Sequence, residues 1–185
     1  MADKPDNARY NRTARFLHWG MALLIIPMLL LGEQSMGSHD ARWLPTLHAS
    51  LGLLLVALVM VRLVWRWKHV PPVAVPSPLW QILASKLVHL ALYAAMFALP
   101  LSGWLAYTEH VRRSLGMRPA SWFGFRIPLL PDFGVNWHLI HNWGGKLVLA
   151  FIALHVMAAL KHHFYDKDDT LKRMLPAYGP SPKTE

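Results

Sequence analysis

The 185-residue chain contains no cysteine. That absence excludes disulfides, iron–sulfur clusters, thiolate zinc sites and haem attached through a C-x-x-C-H motif. Charge is scarce as well: 16% of the residues are Asp, Glu, Lys or Arg against 54% hydrophobic, and the mean hydropathy is positive. Such proportions lie outside the usual soluble range and point to an all-α membrane protein of one domain. Carboxylates are the rarest charges, ten against nineteen basic residues, for a net charge of +9. Anionic lipid headgroups account for that excess. No nucleic-acid-binding motif accompanies it, and no nucleic-acid partner is expected. Repeats and low-complexity tracts are missing too. What the chain does have is eleven histidines, so a redox metal would have to use them.

Four apolar runs, roughly Phe16 to Leu31, Leu47 to Trp65, Leu87 to Tyr107 and Leu139 to Leu160, approach the ~20 residues a helix needs to cross the hydrocarbon. With their flanks they give spans of about 16–33, 47–67, 85–107 and 139–163 within a single domain, 1–185. Pro27 and Pro100 read as kinks, since neighbouring helices can re-satisfy a freed carbonyl. The prolines of VPPVAVPSPLWQ, Val70 to Gln81, favour an extended link between the second and third spans. The loop 109–137, with SWFGF at Ser121 to Phe125 and IPLLPDFG at Ile127 to Gly134, reads as a cap against the membrane interface.

With both termini in the cytoplasm, the inner side receives thirteen of the nineteen Lys and Arg, among them Arg9, Arg12, Arg15, Arg62, Arg66, Lys68, Lys86 and Lys161. The positive-inside rule therefore favours that orientation. The N-terminal run is kept as a span rather than a signal peptide, because no A-x-A-type cleavage site follows it.

In this topology His48 and His141 open their spans from the outside, while His18 and His89 open theirs from the inside. His155 lies fourteen residues after His141, about 21 Å further along the helix and within about 40° of the same face. The fourth span thus offers one histidine near each membrane surface. His141 can face His48, and His155 can face His18, with His89 at the same depth as a competitor. Two imidazoles from different helices are the ligand set of six-coordinate b-type haem iron, with the macrocycle in an apolar slot between helices. Gly52, Gly144, Gly145 and Ala159, three or four residues after a histidine, leave room for it. Interhelical hydrogen bonding is the plainer use of a membrane histidine, and small residues at this spacing are also ordinary packing surfaces. A haem-free transporter of divalent metal is a third possibility, but the apolar runs hold no carboxylate.

ARFLHWG, LHASLGLLLVALVMVRLVWR, KLVHLALYAAMFALPLSGW and the closing IHNWGGKLVLAFIALHVMAALKHHFYDKDDTLKRMLP resemble bacterial cytochrome b561, and within it the four-helix di-haem branch that includes superoxide oxidase. The likeness covers roughly Tyr10 to Pro176 without the outer loop. It implies a multi-pass electron carrier of the bacterial cytoplasmic membrane with two haem b groups, the inner on His18 and His155 and the outer on His48 and His141. It also removes His89 from the ligand set.

His89 or His162 is then expected to serve a quinone or its proton path, since histidine titrates in the right range. The implied reaction is superoxide:quinone oxidoreduction with ubiquinone as acceptor. Arg112, Arg113, Arg118 and Arg126 of the outer loop would steer a small anion. The alternative is a carrier or membrane anchor exchanging electrons with a periplasmic redox protein docked on those arginines. Arg62, Arg66, Lys86 and Lys161 suit lipid phosphates or haem propionates. Lys146 needs a partner or must snorkel. Trp19, Trp65, Trp104 and Trp143 read as an aromatic belt.

Overall fold

The computed structural model describes residues 9–35, 43–113, 121–122, 125–126 and 128–175. Four long helices dominate it: α1 (Arg12–Ser35), α2 (Trp43–Lys68), α3 (Leu79–Arg113) and α4 (Trp137–Phe164). All four are long and apolar enough to cross a membrane. With lipid as solvent there is no need for a polar face, and Leu23, Leu30, Leu90 and Leu149 point outward freely.

Local chemistry sets the helix ends. Asn11 accepts from the Ala14 amide at 2.8 Å and Asn136 from the Leu139 amide at 3.0 Å, each satisfying an amide of the first turn. The link between α2 and α3 is shorter than its prolines suggest. The Pro78 carbonyl accepts from Gln81 and Ile82, so Leu79, Trp80 and Gln81 are already helical. At the other end α3 runs on to Arg113, past the expected start of the outer loop. Within that loop β1 (Ser121–Trp122) and β2 (Phe125–Arg126) form a two-residue antiparallel ladder.

Met21 and Met28 of α1 pack with Leu55 and Val59 of α2, and Tyr93, Met96 and Phe97 of α3 close over them. Helix α4 packs instead along α3. Neighbours in sequence are therefore neighbours in space, whereas α1 and α2 barely meet the backbone of α4. That sparse seam decides where a large group could enter.

Candidate haem site

The seam is bridged by histidine. At the end where α1 begins and α4 finishes, the terminal end, the His18 and His155 rings lie 6.2 Å apart between centres. At the opposite, loop end, His48 and His141 are 5.9 Å apart. A metal–imidazole bond of about 2.0–2.1 Å puts two coaxial nitrogens ~4 Å apart and their ring centres about 6 Å apart. Both pairs have the spacing for one iron between them. The rings are twisted by 71° and 86°. Beside the loop-end pair there is open space: a Cβ on Gly52 or Gly145, one turn beyond His48 and His141, would meet no side chain and no other helix within 4 Å, which leaves room for the edge of a macrocycle. Gly144 differs from that expectation, since its Cβ position is 2.7 Å from Leu99. It lets α3 and α4 pack closely.

The loop-end pair is held by a repeated device. His48 Nδ1 donates to the Met28 carbonyl at 3.0 Å, and His141 Nδ1 donates to the Leu99 carbonyl at 3.0 Å. Each ring lies on the glycine four residues after its acceptor: a Cβ would stand 3.1 Å from His48 Cε1 at Gly32 and 2.9 Å from His141 Cε1 at Gly103. Ser102 Oγ adds a contact to His141 Nδ1 at 3.2 Å while donating to the same carbonyl. With Nδ1 carrying the proton, Nε2 keeps its lone pair for a metal. Gly32, Gly103 and Ser102 were not singled out from the sequence. Their signal is a small residue on the facing helix at histidine depth.

The terminal end is arranged differently. His89 of α3 approaches His155 to 5.3 Å and has Ser85 Oγ 3.4 Å from its Nδ1. Helices α3 and α4 pack against each other, so His89 and His155 meet across a packed helix pair rather than across the seam that separates α4 from α1 and α2. Arg62, which donates to Tyr93 Oη at 2.9 Å, is a cation whose field reaches His18, His89 and His155, and Arg66 adds to it at His89. His162 is removed from this group. Its Nδ1 lies 2.7 Å from Asp168 and 3.2 Å from Asp166, in a turn made possible by the left-handed Lys167, φ 54°. Burial opposes ionisation of Asp168, but hydrogen bonds from Thr170 and His162 outweigh it and hold the carboxyl below its usual value.

Three of the four belt tryptophans also act as clamps. Trp19 donates to the Met174 carbonyl, Trp65 to Asn11 Oδ1 and Trp104 to the Pro128 carbonyl. The fourth, Trp143, lies 5.0 Å from the Lys146 ammonium, which thereby gains a cation–π partner. Lys161 pairs with Asp166 at 2.7 Å. Arg112 and Arg113, expected in the outer loop, lie instead in the last turn of α3, where Arg113 bridges Glu109 at 2.7 Å and Arg112 donates to the Leu130 carbonyl. Arg118 and the Arg126 side chain lie outside the described residues.

Comparison with known proteins agrees with this architecture. The family described as prokaryotic cytochrome b561 matches residues 9–177. Cytochrome b561 homolog 2 of Escherichia coli (strain K12) is 37% identical over 178 residues, covering 90% of this chain and 91% of that protein. Cytochrome b561 homolog 1 of the same organism is 31% identical, covering 91% and 97%. A protein of Yersinia pestis named probable superoxide oxidase CybB is 30% identical over 170 residues, covering 86% and 92%. The chain belongs to the prokaryotic cytochrome b561 family. It is a multi-pass protein of the bacterial inner membrane that takes part in membrane electron transfer, and the family's cofactor is haem b.

Proposed function

We propose that this family member binds two haem b groups, one between His18 and His155 and one between His48 and His141, and passes electrons across the membrane from superoxide to a quinone. Bound haem b supplies a one-electron carrier at each level. The observation that carries this reading is the placement of two imidazole pairs, at matching spacing, along a seam where the backbones of α1 and α2 stand apart from α4. Each α4 histidine would hold an iron jointly with a histidine of α1 or α2. The Met28 and Leu99 carbonyls would fix the loop-end ring orientations.

The chain termini would lie in the cytoplasm, which puts the loop end at the periplasm and the Arg62 side at the inner surface. Two superoxide anions would each lose one electron and leave as O2, while ubiquinone gains two electrons and two protons. His89 suits the proton path or quinone contact, because it stands beside His155 outside the slot. His162 is already engaged with Asp166 and Asp168. A second reading is electron exchange with a periplasmic redox protein docked on the same arginines. Arg113 is partly neutralised by Glu109, whereas Arg112 donates to the neutral Leu130 carbonyl and keeps its charge for either partner.

A pyridine haemochrome assay on detergent-purified protein tests the cofactor. Two haems b per chain are expected, with His141→Ala and His155→Ala each losing mainly one and His89→Ala keeping both. Well-folded protein without haem would sink the assignment. Stopped-flow superoxide oxidation that falls steeply with salt would then favour superoxide, whereas co-purification of a periplasmic redox partner would favour a protein donor.

A further inference from the structure

An open cavity of about 680 Å3 at the terminal end is lined by Arg9, Arg12, Arg15, Arg62, Arg66 and Lys68, and no described lining residue is acidic. Arg15 keeps a buried Nε–H without a hydrogen bond among the described residues, although its Nη1 reaches the Leu175 carbonyl. Further along the same two helices a smaller furrow of about 290 Å3, nearly all apolar, runs past Phe16, Gly20, Met21, Leu24, Leu54 and Leu58.

The two spaces are aligned. Arg12, Phe16 and Gly20 follow one another at four-residue steps on α1, as do Leu54, Leu58 and Arg62 on α2, so one stripe of each helix leads from basic cavity to apolar furrow. Gly20 opens the furrow, since a Cβ there would meet nothing within 4 Å. It stands two residues, about 200° of helical turn, from His18. The furrow is thus on the side of α1 turned away from the histidine seam.

We infer that this is a binding site for one anionic phospholipid, with its phosphate in the arginine cavity and an acyl chain in the α1/α2 furrow. Charge complementarity selects the headgroup, because clustered Arg and Lys at a membrane surface attract anionic lipid. Guanidinium groups also match phosphate oxygens in geometry. The furrow selects a lipid over a soluble anion, since only a lipid fills both spaces.

Native mass spectrometry of the holoprotein, titrated with phosphatidylglycerol, phosphatidylcholine or inorganic phosphate, tests the site. One phosphatidylglycerol per chain is expected, held about tenfold or more tighter than phosphatidylcholine. The double variant Arg12→Gln/Arg66→Gln should weaken it roughly tenfold or more, and Gly20→Phe, which blocks the furrow, should weaken it several-fold. Haem content should stay constant in both. Equal affinity for the two lipids, or unchanged binding in both variants, overturns the inference. So does displacement by millimolar inorganic phosphate, the mark of a soluble-anion site. Haem lost in step with lipid in the arginine variant also overturns it, because those arginines would then serve haem propionates.

Discussion

The two histidine pairs span the same seam at nearly the same spacing, yet their surroundings differ. At the loop end both rings rest on a glycine and donate Nδ1–H to a backbone carbonyl, so tautomer and ring plane are fixed in advance. At the terminal end no ring hydrogen bond to His18 or His155 occurs among the described residues. A third histidine and Arg62 crowd the pair instead. One pair is positioned by backbone, the other by charge and packing. With haem bound as proposed, these settings would push the two irons in opposite directions: an Nδ1–H bonded to a carbonyl makes the imidazole a stronger donor and favours oxidised iron, whereas a nearby cation favours reduced iron. Electrons would therefore run downhill from the loop end to the terminal end, the direction a periplasmic donor and an inner-side quinone require.

The strongest way to break the comparison is Gly103→Val. Its side chain would stand where His141 now lies, 2.9 Å from Cε1. The ring cannot give way without losing its bond to Leu99. A loss of loop-end haem of tenfold or more in affinity is expected, with the terminal-end haem kept. Gly20→Val, in open space, is the control and should lose neither. Pyridine haemochrome with low-temperature spectra of the separate centres reads the result, and loss of both haems from Gly103→Val would show a folding defect rather than a local one.

Arg62→Gln sharpens the electrostatic half. Removing this cation should lower the terminal-end midpoint potential by roughly 30–60 mV, since 59 mV is a tenfold change for one electron, and leave the loop-end potential unchanged. The gap between the centres then narrows in a potentiometric titration. An equal shift at both centres would mean that Arg62 acts through general field or fold rather than on the near pair.

What the sequence reveals and conceals follows from the range of each signal. The fourth helix shows His141 and His155 on one face because helical phase is local, and the apolar runs show the four helices for the same reason. Gly32 and Gly103 matter only through a ring on another helix, and the rotation of one helix against its neighbour is not written in either. Helix α3 begins early because the Pro78 carbonyl, not an apolar residue, accepts its first bonds. His162 was open to a quinone role while its partners stayed hidden. They come back onto it only through the turn at Lys167.

That turn carries the smallest expected effect, at the terminal end. Thr170 N donates to Asp168 at 2.8 Å while the other carboxylate oxygen holds His162. The segment beyond is tied to α1 through Arg15 and Trp19. Because the carboxyl of folded Asp168 sits below the ordinary 3.8, its contribution is fully present above that value and is lost as pH falls through the lowered one. Asp168→Asn should therefore lower Tm by roughly 1–3 °C at neutral pH, a small effect for a solvent-screened group. The difference from wild type should close as the solution is acidified below 3.8. Haem should be lost from the terminal-end pair first if this turn braces it. Simultaneous loss from both pairs, or a Tm difference that persists in acid, would place the bracing elsewhere.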